Sequence, residues 1–191
     1  MRIYRADVAE RADDLVSVYA EVFTAPPWNE PADAVPAFRE RLDTDRRRPG
    51  FRAAVAPARD GGPGAAGFAS GWTTPGPFPA DRSAGRVAGH VAAQLGPRLR
   101  PLLVGAFQVD ELAVRPCARG TGLGRRLLAA VCDGAARDGR VWLLTARSAP
   151  DAVAFYRRLG WHEVLPEPGA DPGDVVVFLA PGHPGAASVT P

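Results

Sequence analysis

The chain contains no lysine, so all 23 of its fixed side-chain cations are arginines. With 21 glycines, 20 prolines and abundant alanine, this composition fits a GC-rich coding sequence as well as selection for bidentate contacts. There are only two cysteines, Cys117 and Cys132, and their spacing is not that of a metal site or a disulfide framework. Both are therefore expected as reduced thiols in a cytoplasmic protein. Charge of one sign is also scarce. A net charge of +2 over 191 residues gives no electrostatic footprint for nucleic acid or an anionic membrane. No apolar run is long enough to span a bilayer. The opening "MRIYRADVAE" reads as a strand entering a charged turn, not as a targeting segment.

What remains is a soluble chain long enough for one domain with its own core. Its apolar pattern alternates between strand-like and helix-like runs. "RIYRA" is strand-like. Leu15, Val18, Tyr19, Val22 and Phe23 then recur at the spacing of one helical face. The prolines of "TAPPWNEP" interrupt that helix, and a second is expected over 32–47. Residues 51–74 read as a hairpin turning at "RDGGPGA". Residues 75–101 form an insertion in which Val87, Val91 and Leu95 mark a short amphipathic helix. "LLVGAFQVDELAV" is expected as one long strand, 122–136 as a helix, "VWLLTA" as a strand and "PDAVAFYRRLG" as a helix. "WHEVL" and "DVVVFLA" close the pattern as strands. The order β-α-α-β-β-(insert)-β-α-β-α-β-β implies a single α/β domain around a mixed sheet. It is expected over 1–181, with 182–191 as a disordered tail.

The densest chemistry lies in "RGTGLG", Arg119 to Gly124, between a strand and a helix. Glycine lets a ligand approach the backbone, and a helix start offers unpaired N–H groups. Together they make an anion site, typically for phosphate. A P-loop is excluded because the Lys and the adjacent hydroxyl are missing. A dinucleotide fingerprint fails because Leu127 stands where its third glycine belongs. The pyrophosphate of coenzyme A remains.

At this point the chain resembles a known family, the GNAT N-acetyltransferases. Arg119, Gly122 and Gly124 match that family's [QR]xxGx[GA] signature, and "ELAVRP" before them resembles its fourth strand. "DAVAFYRRLGW", residues 151–161, is similar to its second motif. The resemblance is strong over 103–165. It implies a mixed sheet splayed between the fourth and fifth strands, with helices on both faces and acetyl-CoA as cosubstrate. The backbone of Leu112, Ala113 and Val114 would bind pantetheine. Arg119, Gly120, Thr121, Gly122, Leu123, Gly124 and Arg125 would hold the pyrophosphate. Arg126 reads instead as part of a solvated helix face.

The implied reaction is direct attack of an amine on the thioester, with Tyr156 in the position of the family's general acid. Asp110 and Glu111 are both candidate bases. They lie on opposite faces of a strand, so only one can face the acceptor, and the sequence favours Asp110 slightly. Trp28 and Glu30 suit a cationic amine in the loop that the family uses for its acceptor, although Trp28 also reads as a hydrophobic plug after two prolines. The insertion 75–101 reads as a lid, and His90 within it as a surface residue. One departure is Ala149, where many family members carry an Asn seven residues before the tyrosine; Ser148 or Asp151 stands close enough in sequence to substitute.

The expected partner is a small-molecule or peptide amine, with no nucleic acid and no membrane, for an enzyme that is a monomer or homodimer. A non-catalytic acyl-CoA sensor and an O-acyl or longer-acyl transferase are the alternatives on the same fold.

Overall fold

A computed structural model describes residues 1–58, 64–76, 101–165 and 173–188. The insertion helix and His90 lie outside these residues. The described elements are β1 (Arg2–Tyr4), α1 (Ala12–Phe23), α2 (Ala34–Asp45), β2 (Arg52–Pro57), β3 (Ala65–Thr73), β4 (Phe107–Val114), α3 (Leu123–Cys132), β5 (Val141–Ala146), α4 (Pro150–Arg158), β6 (His162–Val164) and β7 (Val175–Leu179). Their order is the one the apolar pattern implies. The strands form one mixed seven-stranded sheet in the order β1-β2-β3-β4-β5-β7-β6. No described helix is long and apolar enough to cross a membrane. The chain divides into two compact units, Met1–Trp72 with Val109–Ala135, and Thr73–Gln108 with Ala136–Pro191.

In the first unit, the five apolar residues that mark one face of α1 are all buried, with Leu15 and Val18 fully so. They pack with Phe38 and Leu42 of α2 and with Val55, Phe68 and Trp72 of the β2–β3 hairpin. Burying each large apolar side chain here stabilises the fold by about 1.5–3 kcal/mol. β2 and β3 pair antiparallel from Arg52 opposite Gly71, with an irregularity at Ala56/Pro57, where proline cannot donate a ladder bond. The small side chains of β3 have a structural cause at Gly67. A Cβ there would lie 2.6 Å from the Ala113 carbonyl oxygen and 3.2 Å from Val114 Cα, so only glycine lets β3 lie against this part of β4. Helix α3 ends earlier than expected, at Cys132, because Gly134 takes a left-handed conformation.

The second unit is built on the ladder β5-β7-β6, all antiparallel. Trp142 is fully buried, and its indole N–H donates to Thr74 Oγ1 at 2.8 Å. The expected long strand is corrected at its start. Residues 101–103 are helical and the strand begins only at Phe107. Leu103 is buried in this unit's core, and Gly105, at φ +78°, turns the chain, its amide donating to Thr74 O. The apolar run there is packing, which periodicity alone does not separate from a strand.

Residues 182–188, placed in the expected tail, are described in the structure. They carry a short turn, Ala186–Ser188, and His183 is 3 % exposed. The polar imidazole hid this in the sequence, but both its nitrogens are satisfied by backbone groups.

Candidate active site

The glycine loop follows β4 directly. After Val114 a single helical turn, Pro116–Ala118, leads into Arg119, whose Nε donates to Val114 O at 3.3 Å. Thr121 Oγ1 donates to Ala118 O at 2.8 Å, which closes the loop on itself. Gly120 and Gly122 both sit at φ +73°, a conformation that side-chain-bearing residues rarely adopt. The space beside them is open. A Cβ on Gly120 would meet nothing within 4 Å, and one on Gly122 only Arg126 Nη1 at 3.4 Å. Gly122 is the N-cap of α3, no side chain caps that end, and the first α-helical bond runs from Arg126 N to Gly122 O. The amides of Leu123, Gly124 and Arg125 are thus first-turn donors at the positive end of a helix dipole. Arg119 and Arg125 are exposed beside them. Arg126 is not merely solvated, because its Nη1 donates to Thr121 O at 2.9 Å and braces the loop. The residues present fit a diphosphate: open space, uncapped amides and fixed cations.

A second cluster in the same unit joins α1, α2, the loop between them and β4. Arg41 Nη2 donates to Glu111 Oε1 at 3.3 Å and to the Tyr19 hydroxyl at 3.1 Å. Tyr19 in turn donates to Glu30 Oε2. Its ring stacks on Phe38 at 4.1 Å between centroids, with an interplanar angle of 8°. Burial pushes the Tyr19 phenol well above the usual tyrosine range, and the Glu111 charge and the Glu30 bond add to the shift. Trp28 packs on Phe23 at 5.4 Å and against the core, which is the plug reading of this residue. Of the sequence-derived residues, the structure thus brings together Glu30 and Glu111. Asp110 contributes charge close enough to act on Arg41.

In the second unit, Tyr156 is 8 % exposed on α4. Its ring meets Phe155, Phe178 and Trp161 at 5.2, 5.6 and 6.0 Å between centroids. Gly160 at φ +77° turns the chain so that Trp161 N donates back to Tyr156 O at 3.1 Å. The Gly-aromatic pair is therefore a helix end with a core anchor. Ala149, in the family's Asn position, is buried and precedes the first turn of α4. Both cysteines are free thiols, and burial pushes that of Cys132 up to about 12. Among the described residues no group of His, Cys, Asp and Glu has the makings of a metal site.

A family model described as "Acetyltransferase (GNAT) domain" matches residues 78–173. The chain belongs to the GNAT acetyltransferase family. It is accordingly an acyltransferase. No curated protein matches it in sequence. Solved structures share its fold at low identity. The ribosomal-protein-alanine N-acetyltransferase of Brucella melitensis is 20% identical with a TM-score of 0.56, over 94% of this chain and 98% of that one. The PaiA N-acetyltransferase of Thermoplasma acidophilum, solved in complex with coenzyme A, is 13% identical with a TM-score of 0.54, over 93% and 98%. A Corynebacterium glutamicum structure described as histone acetyltransferase HPA2 and related acetyltransferase is 20% identical with a TM-score of 0.57, over 94% and 95%.

Two residues of this GNAT chain escaped sequence reasoning, Tyr19 and Arg41. Tyr19 fell on the apolar face of α1 and counted as core, which its ring is. The available signal was its hydroxyl, since a buried phenol needs a polar partner and Glu30 stood eleven residues away. Arg41 was one arginine among 23, and no spacing rule singled it out.

Proposed function

We propose that this acyltransferase binds acetyl-CoA along β4 and the glycine loop and transfers its acetyl group to an amine of a small molecule or peptide. The observation that carries this reading is the loop: two left-handed glycines with open space beside them, in front of an uncapped helix start, directly after β4. The backbone of Leu112, Ala113 and Val114 pairs with the pantetheine. The amides from Arg119 through Arg125 hold the pyrophosphate, and the Arg119 and Arg125 side chains add charge-assisted bonds.

Bound acetyl-CoA supplies a thioester that a neutral amine attacks directly. Glu111 accepts the proton that the amine nitrogen loses. Tyr156 donates its phenol hydrogen to the sulfur as the carbon–sulfur bond breaks. Glu111 is preferred to Asp110 because its side chain pairs with Arg41 of α2, which bonds Tyr19 of α1 and through it the loop bearing Glu30. Glu30 and the exposed edge of Trp28 flank the acceptor. The near-neutral net charge supports a reading without a nucleic-acid or membrane partner, and the two free thiols support a cytoplasmic enzyme.

The test is release of free CoA from acetyl-CoA and succinyl-CoA across a panel of small amines and peptides, with melting temperature as the binding readout. Acetyl-CoA should raise the melting temperature by mass action. Replacing Arg119 and Arg125 together by Ala should weaken its binding roughly tenfold per lost charge-assisted bond. These are cleaner probes than Gly122→Val, because any side chain at φ +73° strains the loop even with no ligand. The absence of a melting shift at millimolar acetyl-CoA would overturn the reading of the loop.

A further inference from the structure

We propose that Arg41 and Tyr19 are positioning residues, forming with Glu111 and Glu30 a directed hydrogen-bond relay that ties the α1–α2 loop to the proton-accepting strand β4. The proposal rests on the reading of Glu111 as the acid that takes the acceptor's proton.

The direction of the relay follows from its donors. A guanidinium only donates, so Arg41 Nη2 donates both to Glu111 Oε1 and to the Tyr19 oxygen. With one lone pair of that oxygen occupied, the single phenol proton points to the Glu30 carboxylate. Tyr19 is therefore a fixed wire rather than an acid. Its ring is locked against Phe38 and Phe23, and burial together with the neighbouring carboxylates keeps it neutral. The Arg41 guanidinium lies 5.5 Å from both the Tyr19 and Phe38 ring centres, which fixes its plane as well.

The charge of the relay suits proton transfer. Before reaction it holds two carboxylates and one guanidinium, one negative charge in excess. When Glu111 takes a proton from the acceptor amine, the relay becomes neutral and Arg41 stays paired through Tyr19 to Glu30. Groups that act on Glu111 include Arg41 from α2 and Tyr19 from α1, with Asp110 beside it on β4. The Arg41 guanidinium paired with Glu111 holds the carboxylate in place and favours its charged, proton-accepting form. A plain brace between α2 and β4 would have the first bond but no reason to extend to the acceptor loop.

The experiment compares wild type with Arg41→Gln, Arg41→Lys, Tyr19→Phe and Glu111→Gln. The Glu111 carboxyl is followed by carbon-13 NMR titration, assigned by its disappearance in Glu111→Gln. In Arg41→Gln the Glu111 carboxyl should titrate higher than in wild type by roughly half a pH unit or more, and the acid limb of kcat/KM should move with it. Arg41→Lys should restore most of that shift. Tyr19→Phe keeps the ring stack and should raise the acceptor KM roughly tenfold, with acetyl-CoA Kd within about twofold of wild type. An unchanged Glu111 titration in a folded Arg41→Gln, or an unchanged acceptor KM in Tyr19→Phe, overturns the relay. Full activity in Glu111→Gln would instead remove the acid reading. The NMR titration needs no acceptor and still decides whether Arg41 governs the Glu111 carboxyl.

Discussion

Tyr19 and Tyr156 are both buried, at 1 % and 8 % exposure, and each has aromatic neighbours, but they are held by different means. In the first unit, the Tyr19 hydroxyl sits between a guanidinium and a carboxylate, and its proton is committed to Glu30. In the second, the Tyr156 ring is held among Phe155, Trp161 and Phe178, and its carbonyl closes the turn after α4. A phenol pushed well above its usual range beside two carboxylates cannot serve as an acid. The Tyr156 ring is set among three aromatic side chains, and the role proposed for it asks its hydroxyl to reach the sulfur of bound acetyl-CoA. Burial and residue type are alike at both positions, so the proposed division of roles rests on the bonds that commit the Tyr19 hydroxyl to Arg41 and Glu30.

Removing each hydroxyl in turn should give the largest effects. Tyr156→Phe should lower kcat on the order of 10²-fold, the low end for loss of a general acid. Its acetyl-CoA Kd should stay near wild type, because the bond strengthens as charge develops on sulfur. Tyr19→Phe should leave most of kcat intact and act on acceptor KM. If the two variants exchanged these signatures in single-turnover and steady-state assays, the roles assigned here would be reversed. A folded Tyr156→Phe within about twofold of wild type on a verified acceptor would make Tyr156 a packing residue only.

A smaller effect sharpens the same contrast by loosening the strand that carries Glu111. Gly67→Ala places a Cβ 2.6 Å from the Ala113 carbonyl oxygen, a backbone atom that cannot move aside cheaply. The expected cost is about 1–3 kcal/mol of stability, or a fall in melting temperature of roughly 2–4 °C per kcal/mol for a chain of this size. Acceptor KM should suffer with it, since the relay is anchored on β4. A melting temperature equal to wild type would mean that β3 is not held this closely against β4.

Much of this was legible in the sequence, for identifiable reasons. The face of α1 was readable because its five apolar residues obey the helical period and all are buried. The glycine loop was readable because left-handed backbone leaves few choices of residue, and Gly120 and Gly122 occupy it. The fold around Tyr156, a helix closing on a Gly-aromatic turn, was readable through its motif. What escaped depends on partners distant in sequence. The Arg41 to Glu111 pair spans 70 residues, and alternation along a strand does not show which of Asp110 and Glu111 meets α2. The run at Leu102–Leu103 was apolar because it packs, and the tail at His183 was polar although it is buried.

That histidine gives the smallest effect and the one with the clearest sign. His183 Nδ1 accepts from Gly185 N at 2.9 Å, and Nε2 faces Leu102 O at 3.3 Å, so the proton of the neutral ring belongs on Nε2. Protonation would set a second N–H against the Gly185 amide. Burial lowers the His183 pKa, and Arg140 adds to this, while the Leu102 carbonyl and Asp138 oppose it. In the unfolded chain the group titrates near 6.5. A folded pKa below the unfolded one means that the unfolded state binds more protons between the two values. The contribution of His183 to stability is therefore complete above about pH 6.5 and is lost as pH falls through the folded pKa. Melting temperatures from pH 7.5 down to 5 should decline more steeply in wild type than in His183→Gln, which cannot titrate there. The difference should be small beside the Gly67→Ala effect, and it belongs to the unit that holds Tyr156, not to the one that holds the relay. Parallel declines in the two proteins would mean that the ring is not the closed latch its two hydrogen bonds describe.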